Sequence, residues 1–181
     1  MSTLTISQFD QIILSCKDIF MNKLKDYGSS WRLLRLPSIT DQIYIKAQRI
    51  RNIEEKGNMK VAEDCGSEFQ GIVNYSIIAL IQSAKGPKEE PRMDASEVSS
   101  LFDLYIDKSK QLMLNKNHDY GEAWRDMRIS SFTDLILVKL LRIKQIEDNQ
   151  GQTIISEGIE SNYFDILNYA VFALIKIKET K

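Results

Sequence analysis

An internal repeat constrains this chain more than any other feature of its sequence. The stretch "KDYGSSWRLLR" (Lys25–Arg35) returns as "HDYGEAWRDMR" (His118–Arg128) at an offset of 93 residues. About half of the aligned positions through Asp148 are identical, and the match resumes after one inserted residue in "NYSIIALI" and "NYAVFALI". Repetition over this length indicates two copies of one structural unit.

The repeat divides the chain into residues 1–84 and 94–181, joined by a linker at 85–93. The linker sequence "KGPKEEPR" carries two prolines and mixed charges, which is typical of an exposed connection. We expect the two copies to pack as an intrachain pseudo-dimer. A homo-oligomer of the whole chain is the alternative.

Each copy is predicted to form three helices. Apolar residues recur at helical spacing before each Asp-Tyr-Gly, whose glycine can close a helix in the left-handed conformation. Second helices are expected from Ser38 and Ser131, and third helices from about Val61 to Ala84 and from about Ser156 to Lys178. No segment shows the two-residue alternation of a strand. The predicted fold class is all-α, with two tandem three-helix repeats packed as a pseudo-twofold helical bundle.

Composition and charge exclude several classes of function. Lys and Arg number 24 against 25 Asp and Glu, so a basic surface for nucleic acid is not indicated. Cys16 and Cys65 stand far apart without a CxxC motif, which argues against a zinc site, a disulfide framework and a nucleophilic thiol. Neither a signal peptide nor an apolar stretch of bilayer length is visible. We expect a cytoplasmic protein without a membrane partner.

Polar residues interrupt two otherwise apolar helices of the second copy. Within "LILVKLLRIKQI", Lys139 and Arg142 share one stripe, so each must reach solvent, pair with an acid or face a polar cavity. At 100° per residue, the next helix gathers four polar side chains on or beside one face: Glu157, Glu160, Asp165 and Asn168. Clustered carboxylates suit a hard cation such as Mg²⁺, and neighbouring basic residues suit phosphates. Buried ion pairs between helices are the alternative interpretation.

The loop after each first helix supplies aromatic and basic side chains. Trp31 and Trp124 are typical of residues that close the end of a helical bundle. The arginines that follow them, including Arg32 and Arg125, either bind phosphate or cap helix ends.

The series "DYG..W", "S.TD....K..R" and "E..E....D..NY" resembles the nucleotide modification-associated domain 1 family, once in each half. Those are small all-helical domains associated with phage and bacterial nucleotide metabolism. More distantly, the chain is similar to the all-α NTP pyrophosphatases of the MazG and dimeric dUTPase type. Those enzymes hold Mg²⁺ on acidic pairs and cleave between the α- and β-phosphates with a water nucleophile. The resemblance implies a Mg²⁺- or Mn²⁺-dependent pyrophosphohydrolase acting on a nucleoside or deoxynucleoside triphosphate.

The same resemblance implies roles for residues of the second copy. Glu157, Glu160 and Asp165 would be metal ligands, and Glu157 and Asp165 would also be catalytic. The residues implied in phosphate or nucleotide binding are Lys139, Arg142, Asn168, Tyr120, Trp124, Arg125, Lys46 and Arg49. Among these, Asn168 would orient a ligand or water, and Tyr120 or Trp124 would stack on the base.

One departure from the pyrophosphatases favours a second interpretation, a non-catalytic nucleotide-binding or regulatory module. The pyrophosphatases carry Glu-x-x-Glu on the preceding helix, where this chain has Lys139 and Arg142. A helical interaction module with a structural ion-pair core is a third alternative.

The first copy departs further from the acidic pattern. Gly66 and Gly71 stand where the second copy has Glu160 and Asp165, whereas the basic residues of the middle helix remain. We therefore expect the second copy to hold the metal site and the first copy to supply packing and phosphate contacts.

Overall fold

The computed structural model describes residues 3–56, 62–90, 92–155 and 157–180, without the side chains of 62–64. Within these ranges the first copy forms α1 (Thr3–Tyr27), α2 (Leu36–Lys56) and α3 (Ala62–Lys85). The second copy forms α4 (Ala95–Tyr120), α5 (Ile129–Asp148) and α6 (Ile159–Glu179). A 3-10 turn links the first two helices of each copy, at Ser30–Leu33 and Ala123–Asp126. The described ranges contain no strand, and the all-α prediction is confirmed.

The ends of the helices follow local sequence chemistry. α1 and α4 both end at the Asp-Tyr of the repeated motif, and the glycines that follow, Gly28 and Gly121, have φ of 61° and 65°. These angles lie in the left-handed region that glycine adopts at no steric cost. The repeated glycine therefore ends the first helix in both copies, as predicted.

The middle helices begin two residues earlier than predicted. α2 starts at Leu36 and α5 at Ile129, so Ser38 and Ser131 lie inside the first turn and do not cap it. Pro37 fits this position because the first turn of a helix leaves its N–H groups unpaired in any case. The expected start of α3, Val61, lies outside the described residues, and so does Ser156. The start of α6 near Ser156 was predicted too early, because α6 begins at Ile159 with Gly158 before its first turn, and Glu157 therefore precedes the helix whose face it was predicted to share.

The third helix of each copy lies at the centre of the bundle. α3 packs on α6, α2 lies beside α3, α5 lies beside α6, and α2 and α5 contact each other. α1 and α4 each contact both central helices. α6 is buried on almost every side from Asn162 to Ile175, which explains why its sequence has no broad polar face. No helix in the described ranges is long and apolar enough to cross a membrane.

Polar contacts between the copies show their pseudo-twofold relation. Each contact joins two positions, and its mate joins the equivalent positions in the opposite order. The pairs are Lys17–Asp103 and Lys110–Asp10 (2.6 and 2.7 Å), Thr40–Glu147 and Thr133–Glu54 (2.8 and 2.9 Å), and Lys144–Asp41 and Arg51–Asp134 (2.6 and 3.8 Å). One apolar core runs through both copies. The tandem repeats therefore pack as the predicted pseudo-twofold bundle.

Candidate functional site

The predicted acids of the second copy lie in different surroundings. Asp165 is buried, whereas Glu157 and Glu160 are exposed. Among the described residues, no group of three or more His, Cys, Asp or Glu side chains is placed to hold a metal ion. The three acids are therefore not preassembled as a metal site, and binding of Mg²⁺ or Mn²⁺ stays a prediction.

Two lysines neutralise Asp165. Its Oδ1 accepts a hydrogen bond from Lys116 Nζ at 2.5 Å, and its Oδ2 lies 2.6 Å from Lys139 Nζ. Partial burial lowers the pKa of Lys116, but the hydrogen bond and charge of Asp165 outweigh it and leave the pKa above its ordinary value. Lys139 thus pairs with an acid, one of the three outcomes that its position predicted. Lys116, on α4, was not identified from the sequence.

Asn168 joins the third helix to the first helix of its copy. Its Oδ1 accepts from Ser109 Oγ at 2.9 Å, and its Nδ2 donates to the Ser109 carbonyl at 3.2 Å. The equivalent Asn74 donates from Nδ2 to the Cys16 carbonyl at 3.0 Å. Both amides therefore hold helices together in this structure.

The two tryptophans of the repeat differ in their surroundings. Trp124 is buried and stacks on Phe172, with ring centroids 4.3 Å apart and planes 7° apart. Trp31 is half-buried, and Ile78 stands at the position equivalent to Phe172. Tyr120, the other predicted base-stacking residue, is 78% exposed. The ring that covers Trp124 therefore has no equivalent over Trp31.

Arg125 closes the end of the second copy through bonds to its own protein. Its guanidinium donates to Glu122 at 2.8 Å and to Glu179 at 3.0 Å, and lies 4.4 Å from the Trp124 ring centroid. Burial raises the pKa of Glu122, but hydrogen bonds from Thr5 and Arg125 outweigh it and hold the pKa below its ordinary value. This arrangement matches the capping interpretation of the arginine.

A groove of about 670 Å³ on the second copy brings several predicted residues together. Lys139, Arg142 and Glu157 line it, with Asn162 beside them. Arg142 and Glu157 are exposed, and neither makes an ion pair within the described part of the chain.

The repeated motif lines a second cavity, of about 290 Å³, in the first copy. Its walls include the aromatic and glycine residues of the motif, a lysine of α2 and the Asn-Tyr pair of α3: Tyr27, Gly28, Trp31, Lys46, Asn74 and Tyr75. The sequence repeat alone did not place these residues around one space, because they come from three helices and from the turn between the first two. Their convergence shows that the first copy contains an organised pocket.

Gly71 keeps this cavity open. In the second copy the equivalent Asp165 fills the space between two lysines, and the first copy retains the equivalent lysines, Lys23 and Lys46. A Cβ added at Gly71 would lie 2.9 Å from Lys46 Cε and 3.1 Å from its Nζ, so the ammonium group adjoins the vacant position. The cavity thus presents two cations around a space that a carboxylate fills in the other copy.

Glu68 binds the basic residues of α2 in the first copy. Lys46 Nζ lies 3.1 Å from Glu68 Oε2, and Arg49 Nη1 donates to Oε1 at 2.8 Å. This buried acid was not predicted from the sequence, because its equivalent is Asn162. Lys23 was not predicted either, although Lys23 and Lys116 repeat at the same offset as the motif.

A family model described as nucleotide modification associated domain 1 matches the chain twice, at residues 23–83 and 116–177. The two segments begin at the equivalent Lys23 and Lys116 and fall in separate repeats. No curated protein and no solved structure matches the chain significantly. The similarity to the MazG-type pyrophosphatases therefore stays a prediction. Because the matched segments cover more than half of its length, the chain belongs to the nucleotide modification associated domain 1 family, as a tandem duplication of that domain.

Proposed function

We propose that this chain is a nucleotide-binding module whose ligand occupies the first-copy cavity. The observation that supports it is the substitution of Gly71 for Asp165 in an otherwise retained pair of lysines. A phosphate group between Lys23 and Lys46 would supply the negative charge that Asp165 supplies in the second copy. The description of the family favours a nucleotide as the phosphorylated ligand.

The aromatic wall of the cavity suits a nucleobase. Trp31, Tyr27 and Tyr75 line the same space as the two lysines. Stacking of a base on an aromatic side chain contributes about 1–3 kcal/mol. In the second copy Phe172 covers the indole of Trp124, and a bound base would take the equivalent place on Trp31. A volume of about 290 Å³ lies at the lower end of the range for small-molecule sites, which favours a mononucleotide.

Calorimetric titration with ribo- and deoxyribonucleotides carrying one, two or three phosphates tests this proposal. Gly71→Asp places a carboxylate between the two lysines and should weaken binding roughly tenfold or more, a loss of about 1.4 kcal/mol. Gly66→Asp is the matched control, because it adds the same charge to the same helix where a Cβ meets nothing within 4 Å. Equal affinity of Gly71→Asp and the wild type would rule out the cavity as the binding site.

The groove of the second copy favours a second candidate function, hydrolysis of a nucleoside triphosphate to monophosphate and pyrophosphate. Lys139, Arg142 and Glu157 line it, and these are three of the residues to which the pyrophosphohydrolase hypothesis assigns phosphate or metal binding. The test supplies Mg²⁺ or Mn²⁺ with a panel of NTPs and dNTPs and follows both products separately. Products that appear together in the wild type and vanish in Glu157→Gln would support hydrolysis. Nucleotide binding without products would argue against hydrolysis and would support the non-catalytic nucleotide-binding module.

A further inference from the structure

We propose a second anion-binding site, where the linker crosses the end of the first copy. A cavity of about 230 Å³ lies between the first 3-10 turn, the end of α3 and the start of α4. Four cationic side chains and one carboxylate line it, with one methionine: Arg32, Lys85, Lys88, Arg92, Glu97 and Met93. This excess of positive charge around a small space suits a small oxyanion such as phosphate or pyrophosphate.

Arg32 is the buried member of this site. Its side chain is 1% exposed, and its Nη1 donates to Gln82 Oε1. Within the described residues, Nη2 is buried without a hydrogen-bond partner. A buried donor left unpaired destabilises the protein, and more strongly when the group is charged. An oxyanion in the cavity would supply both the acceptor and the counter-charge.

The second copy shows which partners an arginine at this position takes. Arg125, the equivalent of Arg32, donates to the carboxylates of Glu122 and Glu179 at 2.8 and 3.0 Å. It also donates to Thr5 Oγ1 at 2.6 Å and to Gln8 Oε1 at 2.8 Å. Two carboxylates and two neutral acceptors therefore neutralise and satisfy this guanidinium.

The first copy replaces every one of these partners. Ser29 and Lys85 stand at the positions equivalent to Glu122 and Glu179, so one acid is lost and the other is exchanged for a base. Val98 and Leu101 stand at the positions equivalent to Thr5 and Gln8. Arg32 is thus more deeply buried than the half-buried Arg125, and Gln82 is the one side-chain acceptor that the described residues show for it, which is the condition of a site completed by an external anion.

The linker holds two more cations over Arg32. The backbone N–H of Lys88 donates to the Arg32 carbonyl at 2.9 Å, and that of Met93 donates to Ser29 Oγ at 2.9 Å. These bonds attach the linker at both sides of the cavity. The side chains of Lys88 and Arg92 are exposed and form no ion pair in the described part of the chain, whereas Lys85 pairs with Glu97 at 2.9 Å.

This site is separate from the nucleotide cavity, because the two have no lining residue in common. A substitution at Gly71 should therefore leave it unchanged. Substitutions in the linker should affect it without entering the first-copy cavity.

The test is calorimetric titration of the full chain with pyrophosphate at constant ionic strength. The double variant Lys88→Ala/Arg92→Ala should weaken pyrophosphate binding at least roughly tenfold. Both residues are exposed, so the variant is expected to fold. Arg128→Ala, which removes an exposed arginine from the second copy, is the matched control and should bind as the wild type does. Gly71→Asp should also bind pyrophosphate normally.

Several outcomes would overturn the proposal. They are the absence of saturable binding by the wild type, equal binding by the double variant, and loss of binding in Gly71→Asp alone, which would assign the anion to the nucleotide cavity. A parallel titration of Gly71→Asp with AMP identifies the source of the anion. If Gly71→Asp binds AMP and loses that binding when Lys88→Ala/Arg92→Ala is added, the natural anion is a terminal phosphate of a larger molecule. If Gly71→Asp binds pyrophosphate but not AMP, the natural anion is a free oxyanion. Either result supports the site.

Discussion

Single residues determine which copy keeps an open site. Gly71 replaces the acid that pairs with two lysines in the second copy, and Lys85 replaces an acid that binds the equivalent arginine. Both substitutions leave the surrounding cations in place. A third difference is structural: Asn74 and Asn168 occupy equivalent positions, but their partners on the first helices are Cys16 and Ser109.

Cys16→Ser should stabilise the protein. Ser109 Oγ donates to Asn168 Oδ1 at 2.9 Å, whereas Asn74 Oδ1 is buried without a hydrogen-bond partner in the described residues. Cys16 is a weak donor in an apolar setting, where burial raises the pKa of its thiol to about 12. A serine hydroxyl there should raise the free energy of unfolding by about 1 kcal/mol, measured by urea denaturation.

The reverse substitution, Ser109→Cys, is the matched control for that measurement. It should lower the free energy of unfolding by a similar amount, because Asn168 would then lose its donor. Destabilisation by both substitutions would mean that packing of the sulfur, and not the hydrogen bond, decides stability at this position.

The helices were predictable from the sequence because each depends on a local pattern. Apolar spacing places them, and the glycine of each Asp-Tyr-Gly ends the first one. The predicted start of α2 was wrong by two residues, since a serine with an aspartate three positions on resembles a cap, but the helix begins at Leu36, directly after the extended residues that follow the 3-10 turn. Local sequence patterns do not show at which residue a helix begins after a turn.

The candidate site was less predictable because its residues belong to different helices. Helical spacing put Lys139 and Asp165 on faces that meet, and the structure pairs them. Lys116 was missed because nothing in the sequence says which face of α4 meets α6. Gly71 was interpreted as the loss of a ligand, whereas its missing side chain opens a cavity that only the packed structure reveals.

The contact between α2 and α5 should make stability depend on pH. Glu54 and Glu147 are half-buried there, and burial raises the pKa of both, although hydrogen bonds from Thr133 and Thr40 oppose it. A raised pKa means that the folded chain binds these protons more tightly than the unfolded chain. Their stabilisation is therefore complete below the unfolded pKa of about 4.3 and is lost as pH rises through the folded pKa.

Glu54→Gln/Glu147→Gln should therefore melt at a higher temperature than the wild type at pH 7. The amide oxygen still accepts the threonine hydrogen bond, while the ionised carboxylates are removed. The difference in melting temperature should shrink at pH 4, where the wild-type carboxyls gain protons. Glu89→Gln, at an exposed position of the linker, is the control and should show no such change. A double variant less stable than the wild type at pH 7 would contradict the assignment.

The whole molecule resembles a dimer whose subunits have been joined and have then diverged at their sites. The core is continuous between the copies, and three reciprocal pairs of polar contacts connect them. The copies differ at their pockets: in the second copy Asp165 pairs with both lysines and two glutamates bind Arg125, whereas in the first copy Glu68 pairs with Lys46, and Lys23 and Arg32 line cavities. Duplication allows this, because both copies contribute to one apolar core while their pockets differ.

Cutting the linker should leave the two halves bound to each other. Cleavage at a protease site inserted between Pro87 and Glu90 would break the covalent connection between the copies. The contacts of α3 with α6 and of α2 with α5 would remain. We expect both fragments to elute together in size-exclusion chromatography and to unfold in one transition. Separate elution would mean that the linker holds the copies together.

In the cut protein, the charge-reversal variant Asp10→Lys/Asp103→Lys should weaken association, because each new lysine faces Lys110 or Lys17. Adding Lys17→Asp/Lys110→Asp to this variant should restore association, because it re-forms both ion pairs with the charges exchanged. Exposed ion pairs contribute only about 0.2–1 kcal/mol each, so the effect should be visible in dilute cut protein and not in the uncut chain.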